Sequence, residues 1–349
     1  MSATVRIEPG GDGIWIIAPE GAPTVLDDAV AIDVLVLEVL GGHLSWSLLA
    51  GQTIPAAVID DVELAQDWLW AVYGERIAVA IADTESGETE FADVAEPAVP
   101  DLVAAAWRLG FAYWAARWWP ASTIDGITPL DDQLLDQEIT ALRAECEMLI
   151  DDDEQAPDHE TAPTDIAASA GISARAEDYA LAAGGGSGDR TTGALSIGRG
   201  TGGWDWRRCP PGVVDASERA VSWESTRNSG TTTVRVTAVA APQLGSAAPA
   251  HLRPRAFITT PVGTAEAELN LIGDLWTGAA TTPSDSVSTV DVYVPGVGAP
   301  GAPELSGPEI RRQIREFAAA RLRRATVADD AVDAPLLAEI AAAASDSDF

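Results

Sequence analysis

Lysine is missing altogether: all 21 basic residues of this 349-residue chain are arginine. A Walker A phosphate loop, a Schiff-base or pyridoxal-phosphate site and a kinase nucleotide site each depend on a lysine amine, so the composition argues against all three. Cysteine is nearly as scarce. Cys146 and Cys209 are the only two, too few for a disulfide framework and without the paired spacing of a zinc site, so both are expected to be reduced. The three histidines, His43, His159 and His251, are too far apart in sequence to ligate one metal from a single helix face. No apolar run reaches the roughly 18 residues a spanning helix needs. The first residues, with Arg6, Glu8 and a glycine-rich turn, do not read as a secretory leader. A cytoplasmic protein is expected.

Positive charge is the remaining shortage. Against 21 arginines stand 54 acidic residues, a net charge of −33. Such a surface repels nucleic acid and anionic membranes, and it favours solubility or a basic partner. Arginine without lysine, beside abundant alanine, glycine and tryptophan, suits an actinobacterial high-GC genome, or else a halophile.

What the chain does have is tryptophan, 12 in all. Trp107, Phe111, Trp114 and Trp118 step by four, three and four, which places them on one helical face. Each large aromatic can bury on the order of 150–250 Å², so this helix is expected to anchor its domain. Around it, residues 3–8 and 13–19 read as one hairpin, and residues 31–40 with 43–49 as a second, with a helix as the alternative there. Asp60 or Asp61 would cap a helix running to about Tyr73, where Gly74 stops it. Residues 76–82 look like a strand that turns into Glu90 to Asp93. The Trp helix follows from about Asp101, and a long helix runs from Leu130 to Asp151. The pattern predicts a mixed α+β domain over residues 1–152.

Residues 153–190 carry charge, proline, alanine and a Gly184–Gly188 run in place of hydrophobic periodicity, the composition of a flexible acidic linker. The Gly184–Thr191 run has neither the spacing nor the lysine of a phosphate loop. Beyond it, six short β-rich runs between Thr192 and Val294 suggest an antiparallel, immunoglobulin-like β-sandwich, with Trp204, Trp206 and Trp223 as candidates for its interior. Ser306 to Glu309 has capping-box spacing ahead of an arginine-rich helix from Ile310. The second domain is therefore placed at 191–325, and a short helix and acidic tail fill 326–349.

Catalytic constellations are sparse. His43 follows a Gly-Gly turn beside Ser45 and is the one candidate base. Asp125, Asp131, Asp132 and Asp136 gather after the Trp helix, where a carboxylate pair could serve hydrolysis or hold a cation; carboxylates at a helix start also satisfy its dipole. Arg311, Arg312, Arg315, Arg321, Arg323 and Arg324 crowd the last long helix and would fold back on the acidic body. Trp204, Trp206, Arg207, Arg208, Pro210 and Pro211 combine the residue types enriched at recognition surfaces on a rigid turn, with a strand followed by a crossover as the plain structural reading.

Residues 118–122 (Trp-Trp-Pro-Ala-Ser) with the acidic helix after them, and residues 205–215, carry a resemblance to actinobacterial two-domain proteins with a helical front half and a β-rich back half. The likeness covers about a third of the chain. Some proteins of that kind look like accessory members of systems built around a MoxR-type ATPase and a von Willebrand A protein, which implies a protein partner in an ATPase-containing assembly. No catalytic residue comes with it. The expectation is a non-enzymatic cytoplasmic adaptor with no cofactor, binding through Trp204, Trp206, Arg207, Arg208, Pro210 and Pro211. The alternative is a hydrolase using His43 or the Asp125, Asp131, Asp132, Asp136 cluster.

Overall fold

The computed structural model describes residues 4–27, 31–83, 90–93, 97–150, 195–244, 250–301, 307–326 and 334–346. The expected linker, with His159 and the glycine run, lies outside them. Contacts divide the chain into two units, neither continuous in sequence. The first comprises Met1–Ala116, Asp131–Ala167 and Val327–Ile340; the second comprises Arg117–Leu130, Ala168–Thr326 and Ala341–Phe349.

The first unit is built on a six-stranded sheet of order β3-β4-β5-β2-β1-β6. Strands β1 (Thr4–Gly11) and β2 (Ile14–Pro19) form the first expected hairpin; β3 (Val34–Val39) and β4 (Gly42–Ser47) form the second. β5 (Ala56–Ile59) lies between β4 and β2, and β6 (Glu90–Asp93) pairs with β1. Alternation assigns the two faces. Val5, Ile7, Ile17, Ala57, Ile59, Leu44, Trp46, Leu35 and Leu37 share one face through the strand registers, and all are at most 2% exposed.

Helix α1 (Val62–Tyr73) starts where Asp61 accepts from the amides of Glu63 and Leu64, and it stops at Gly74. Residues 76–82 are not the expected strand but the middle of α2 (Glu75–Asp83). Ile77, Ala78 and Ile81 are buried while Val79 is 48% exposed, a helical rather than an alternating pattern. α3 (Pro100–Trp118) is the Trp helix. Gly110 brings it against the sheet, since a Cβ there would sit 3.7 Å from Leu35 and 3.8 Å from Trp46. Phe111 stacks between Trp107 and Trp114, and the Trp114 indole donates to the Ile32 carbonyl at 2.7 Å. α4 (Asp132–Glu145) is shorter than expected because the Cys146 amide turns back onto the carbonyls of Leu142 and Arg143. Arg108 of α3 meets the buried Glu138 of α4 at 2.8 Å.

The second unit holds an eight-stranded sheet of order β11-β10-β14-β7-β8-β9-β13-β12. Its strands are β7 (Leu195–Trp204), β8 (Val221–Asn228), β9 (Thr231–Val239), β10 (Arg255–Thr260), β11 (Gly263–Glu268), β12 (Asn270–Ile272), β13 (Leu275–Thr282) and β14 (Thr289–Tyr293). The two ends of that order, β11 and β12, are one stretch of chain bent at Leu269, whose amide donates to Pro254 O. β-rich structure stands as expected. The order, with its parallel β7–β14 pair, does not by itself show the immunoglobulin-like arrangement.

Helix α5 (Gly307–Ala325) is tied to this unit by Arg311, which grips Glu218 through Nε (2.6 Å) and Nη2 (3.0 Å), and by Arg315, which reaches Glu218 and Asp125. Two of the six arginines, Arg311 and Arg315, thus fold back onto carboxylates of the body, while Arg312 pairs with Glu309 and Glu316 of its own helix. α6 (Leu337–Asp346) closes the described chain.

Candidate functional site

β3 lies at an end of its sheet, and a cavity of about 520 Å³ runs beside it. Its lining takes in consecutive residues of the strand and turn, Val36 to Gly41, together with His43, Tyr113, Arg143 and Ile150. Successive strand residues point to opposite faces. A cavity touching all of them therefore follows the strand's outer edge and cannot sit on one face alone.

Hydrogen-bond parity agrees. The Leu40–Gly41 turn leaves Val39 facing Gly42, so the odd-numbered residues of β3 are directed at β4 and the even-numbered ones outward. Two outward amides have partners: Val34 N–H donates to Ala31 O at 3.3 Å and Leu40 N–H to Leu149 O at 2.8 Å. Between them, among the described residues, the backbone groups of Val36 and Glu38 have no strand beside them.

His43 does lie in this cavity, directly across the ladder from Glu38. Both belong to the face opposite Leu35, Leu37 and Trp46, whereas α3 packs on the Leu35 and Trp46 side through Gly110. Tyr113, 37% exposed, accepts a 3.1 Å hydrogen bond from Arg143 Nη1. The histidine and carboxylate are thus on one side of the strand, and the phenol and guanidinium belong to the helices on the other. The site can hold an extended ligand along the edge, but its polar groups do not converge on a point.

In the expected docking segment the two tryptophans are interior, the place also expected for them as core candidates, while Arg207, Arg208 and Pro210 are half-buried. Trp204 and Trp206 are 2% and 0% exposed, with ring centroids 6.2 Å apart. Pro211 is buried and Pro210 half-buried. Arg207 closes on Asp205 through Nε (3.1 Å) and Nη2 (2.9 Å), holding that carboxyl below its usual range although burial pushes the other way. Arg208 spans Asp291 (3.2 Å) and Gly301 O (3.0 Å). Tryptophan and arginine with proline here build a core and its ion-paired rim.

The same segment ends at Asp215, fully buried, whose carboxylate accepts from Ser122 Oγ (2.7 Å), Thr123 N (2.7 Å), Ile124 N (3.4 Å) and Ser217 N (2.9 Å). Ala216 N–H also donates to Ala121 O at 3.2 Å. The two stretches that carried the sequence resemblance, 118–122 and 205–215, therefore meet. Burial pushes the Asp215 carboxyl up against the pull of its four donors. Ser122 has a carboxylate and no imidazole among its described partners, so it is a staple for the loop and not a nucleophile.

Of the four aspartates offered for hydrolysis, Asp125 and Asp131 are occupied, and Asp131, Asp132 and Asp136 lie near enough to one another to interact. Asp125 pairs with Arg219 at 3.0 Å and Arg315 at 3.4 Å in the second unit. In the first, Asp131 caps α4 by accepting from Leu134 N. Burial, then Asp136 and Asp131, push the Asp132 carboxyl up. Among the described residues no group of histidine, cysteine and carboxylate side chains could hold a metal ion. Burial raises Cys146 to about 12 and Cys209 higher still, leaving both thiols inert. No helix of the described chain is long and apolar enough to cross a membrane.

No protein-family model matches the chain, and no curated protein or solved structure is detectably similar to it. The open edge was missed in the sequence because a strand's place in its sheet is a property of order, and only the β3–β4 hairpin itself was legible.

Proposed function

We propose that this protein is a non-enzymatic cytoplasmic adaptor, or accessory subunit, that binds a protein partner through the first unit. The observation that carries the reading is the cavity that follows the edge of β3, which no strand covers among the described residues, with its polar side chains divided between the two faces. A catalytic pocket converges nucleophile, base and electrophile within hydrogen-bond reach of one point; a strand-edge cleft instead offers main-chain groups in a row, the geometry of peptide recognition. An ATPase-containing assembly as the home of that partner rests on the sequence resemblance alone.

The rival reading is hydrolysis with His43 as base, favoured by its position opposite Glu38. The test is affinity purification from the native host with cross-linking of whatever co-purifies. A stoichiometric partner whose cross-links fall in the first unit is the expected result. Absence of any partner, together with an esterase or amidase activity abolished by His43→Ala, would establish the hydrolase instead.

A further inference from the structure

We infer that the β3 edge binds an extended, basic segment of the partner by strand addition, an inference that rests on the adaptor reading and names the chemistry of its ligand. Val36 and Glu38 present outward N–H and C=O groups between two positions the chain already uses, Val34 with Ala31 and Leu40 with Leu149. Leu149 shows the edge accepting main chain at one end, and Ile150 next to it lines the cavity. A peptide in the same plane would continue that pattern over Val36 and Glu38.

Charge decides between a second copy and a basic partner. Each chain carries −33, so two copies repel as they approach, while a basic segment is steered toward the same edge. Locally, Glu38 is exposed, and the exposed Asp60 and Asp61 donate their amides to Gly41 O at the end of the hairpin. Side chains of an added strand alternate. The residue opposite Glu38 would share its face with His43 and would be arginine or lysine; the one opposite Val36 would be apolar. Residues between them would face Tyr113 and Ile150, where an aromatic or aliphatic side chain fits.

The experiment uses the full chain and a short fluorescent peptide in which arginine follows two valines, Thr-Val-Val-Arg-Val-Thr, with the same peptide carrying glutamate in place of arginine as its counterpart. The arginine peptide should bind and slow amide exchange at Val36 and Glu38, with affinity falling as salt rises. Val36→Pro removes an N–H that points away from β4, so the hairpin survives while docking weakens by about tenfold or more. Glu38→Arg should reverse the preference toward the glutamate peptide. Unchanged exchange at Val36 and Glu38, equal binding by a folded Val36→Pro variant, or protection of the same amides by self-association without peptide would each overturn the inference. The adaptor reading would still stand if a native partner cross-links elsewhere on the first unit, and it falls only if no partner exists.

Discussion

Trp114 shows how much one side chain contributes to the first unit. It is 4% exposed, stacks against Phe111 at 5.7 Å and donates its indole hydrogen to Ile32 O. Trp114→Ala should lower stability by about 3–5 kcal/mol in chemical denaturation. Trp114→Phe, which keeps most of the apolar volume and orphans only the carbonyl, should lose about 1–3 kcal/mol. If the two variants lose equally, the hydrogen bond and not the ring is what matters. The stripe that includes Trp114 was legible from its spacing, because a period of 3.6 is a local property. The role of Trp204 and Trp206 was not: burial and partner recognition both favour a large aromatic with one polar atom, and composition alone cannot separate them. Asp215 was equally hidden, since its partners Ser122 and Thr123 are about ninety positions away in sequence.

At the scale of elements, the failures of sequence reading cluster where glycine and alanine serve close approach instead of turns. β13 (Leu275–Thr282) contains Gly278, Ala279 and Ala280, residue types depleted in strands. A Cβ at Gly278 would lie 2.2 Å from the carbonyl oxygen of Glu268, at the end of β11, so only glycine lets the bent strand come this near. Gly278→Ala should therefore lower the second unit's melting temperature by several degrees, whereas Gly263→Ala, whose nearest neighbour would be Pro283 at 3.5 Å, should leave it nearly unchanged. Equal effects would mean that the approach at Gly278 relaxes freely. β7 behaves likewise: Gly198 and Gly200 form a flat track under the Trp223 ring, with Gly200 leaving room for atoms only 2.8 Å from a Cβ. Helix α2 was misread for another reason, since an apolar run flanked by charge is shared by buried strands and short helices. The hairpins and α1 were legible because Gly41, Gly74 and Asp61 are punctuation that acts within a few residues.

For the whole molecule, acidity should govern stability. Burial raises the carboxyls of Asp215, Glu138 and Asp291 above their ordinary values. An acid whose folded value is raised binds protons more readily when folded; its contribution is fully present below the unfolded value and is lost as pH rises through the folded one. Asp205 runs the other way. Its carboxyl is lowered by Arg207 against burial, so its contribution is present above the ordinary aspartate range and fades only as pH drops through the lowered value. The raised groups outnumber it, and self-repulsion at a net charge of −33 acts in their direction, weakening the compact state as carboxylates ionise. The melting temperature should accordingly rise as pH falls from neutral toward the raised range of these carboxyls, and added salt should raise it at the upper end, where screening relieves repulsion. The double variant Asp215→Asn, Glu138→Gln should have a shallower dependence on pH, even if it is less stable throughout, because two of the titrating groups are gone. A melting temperature that is flat or climbs toward neutral pH in the unmodified chain would mean that the arginine pairs, with Asp205 at their head, outweigh the buried carboxyls.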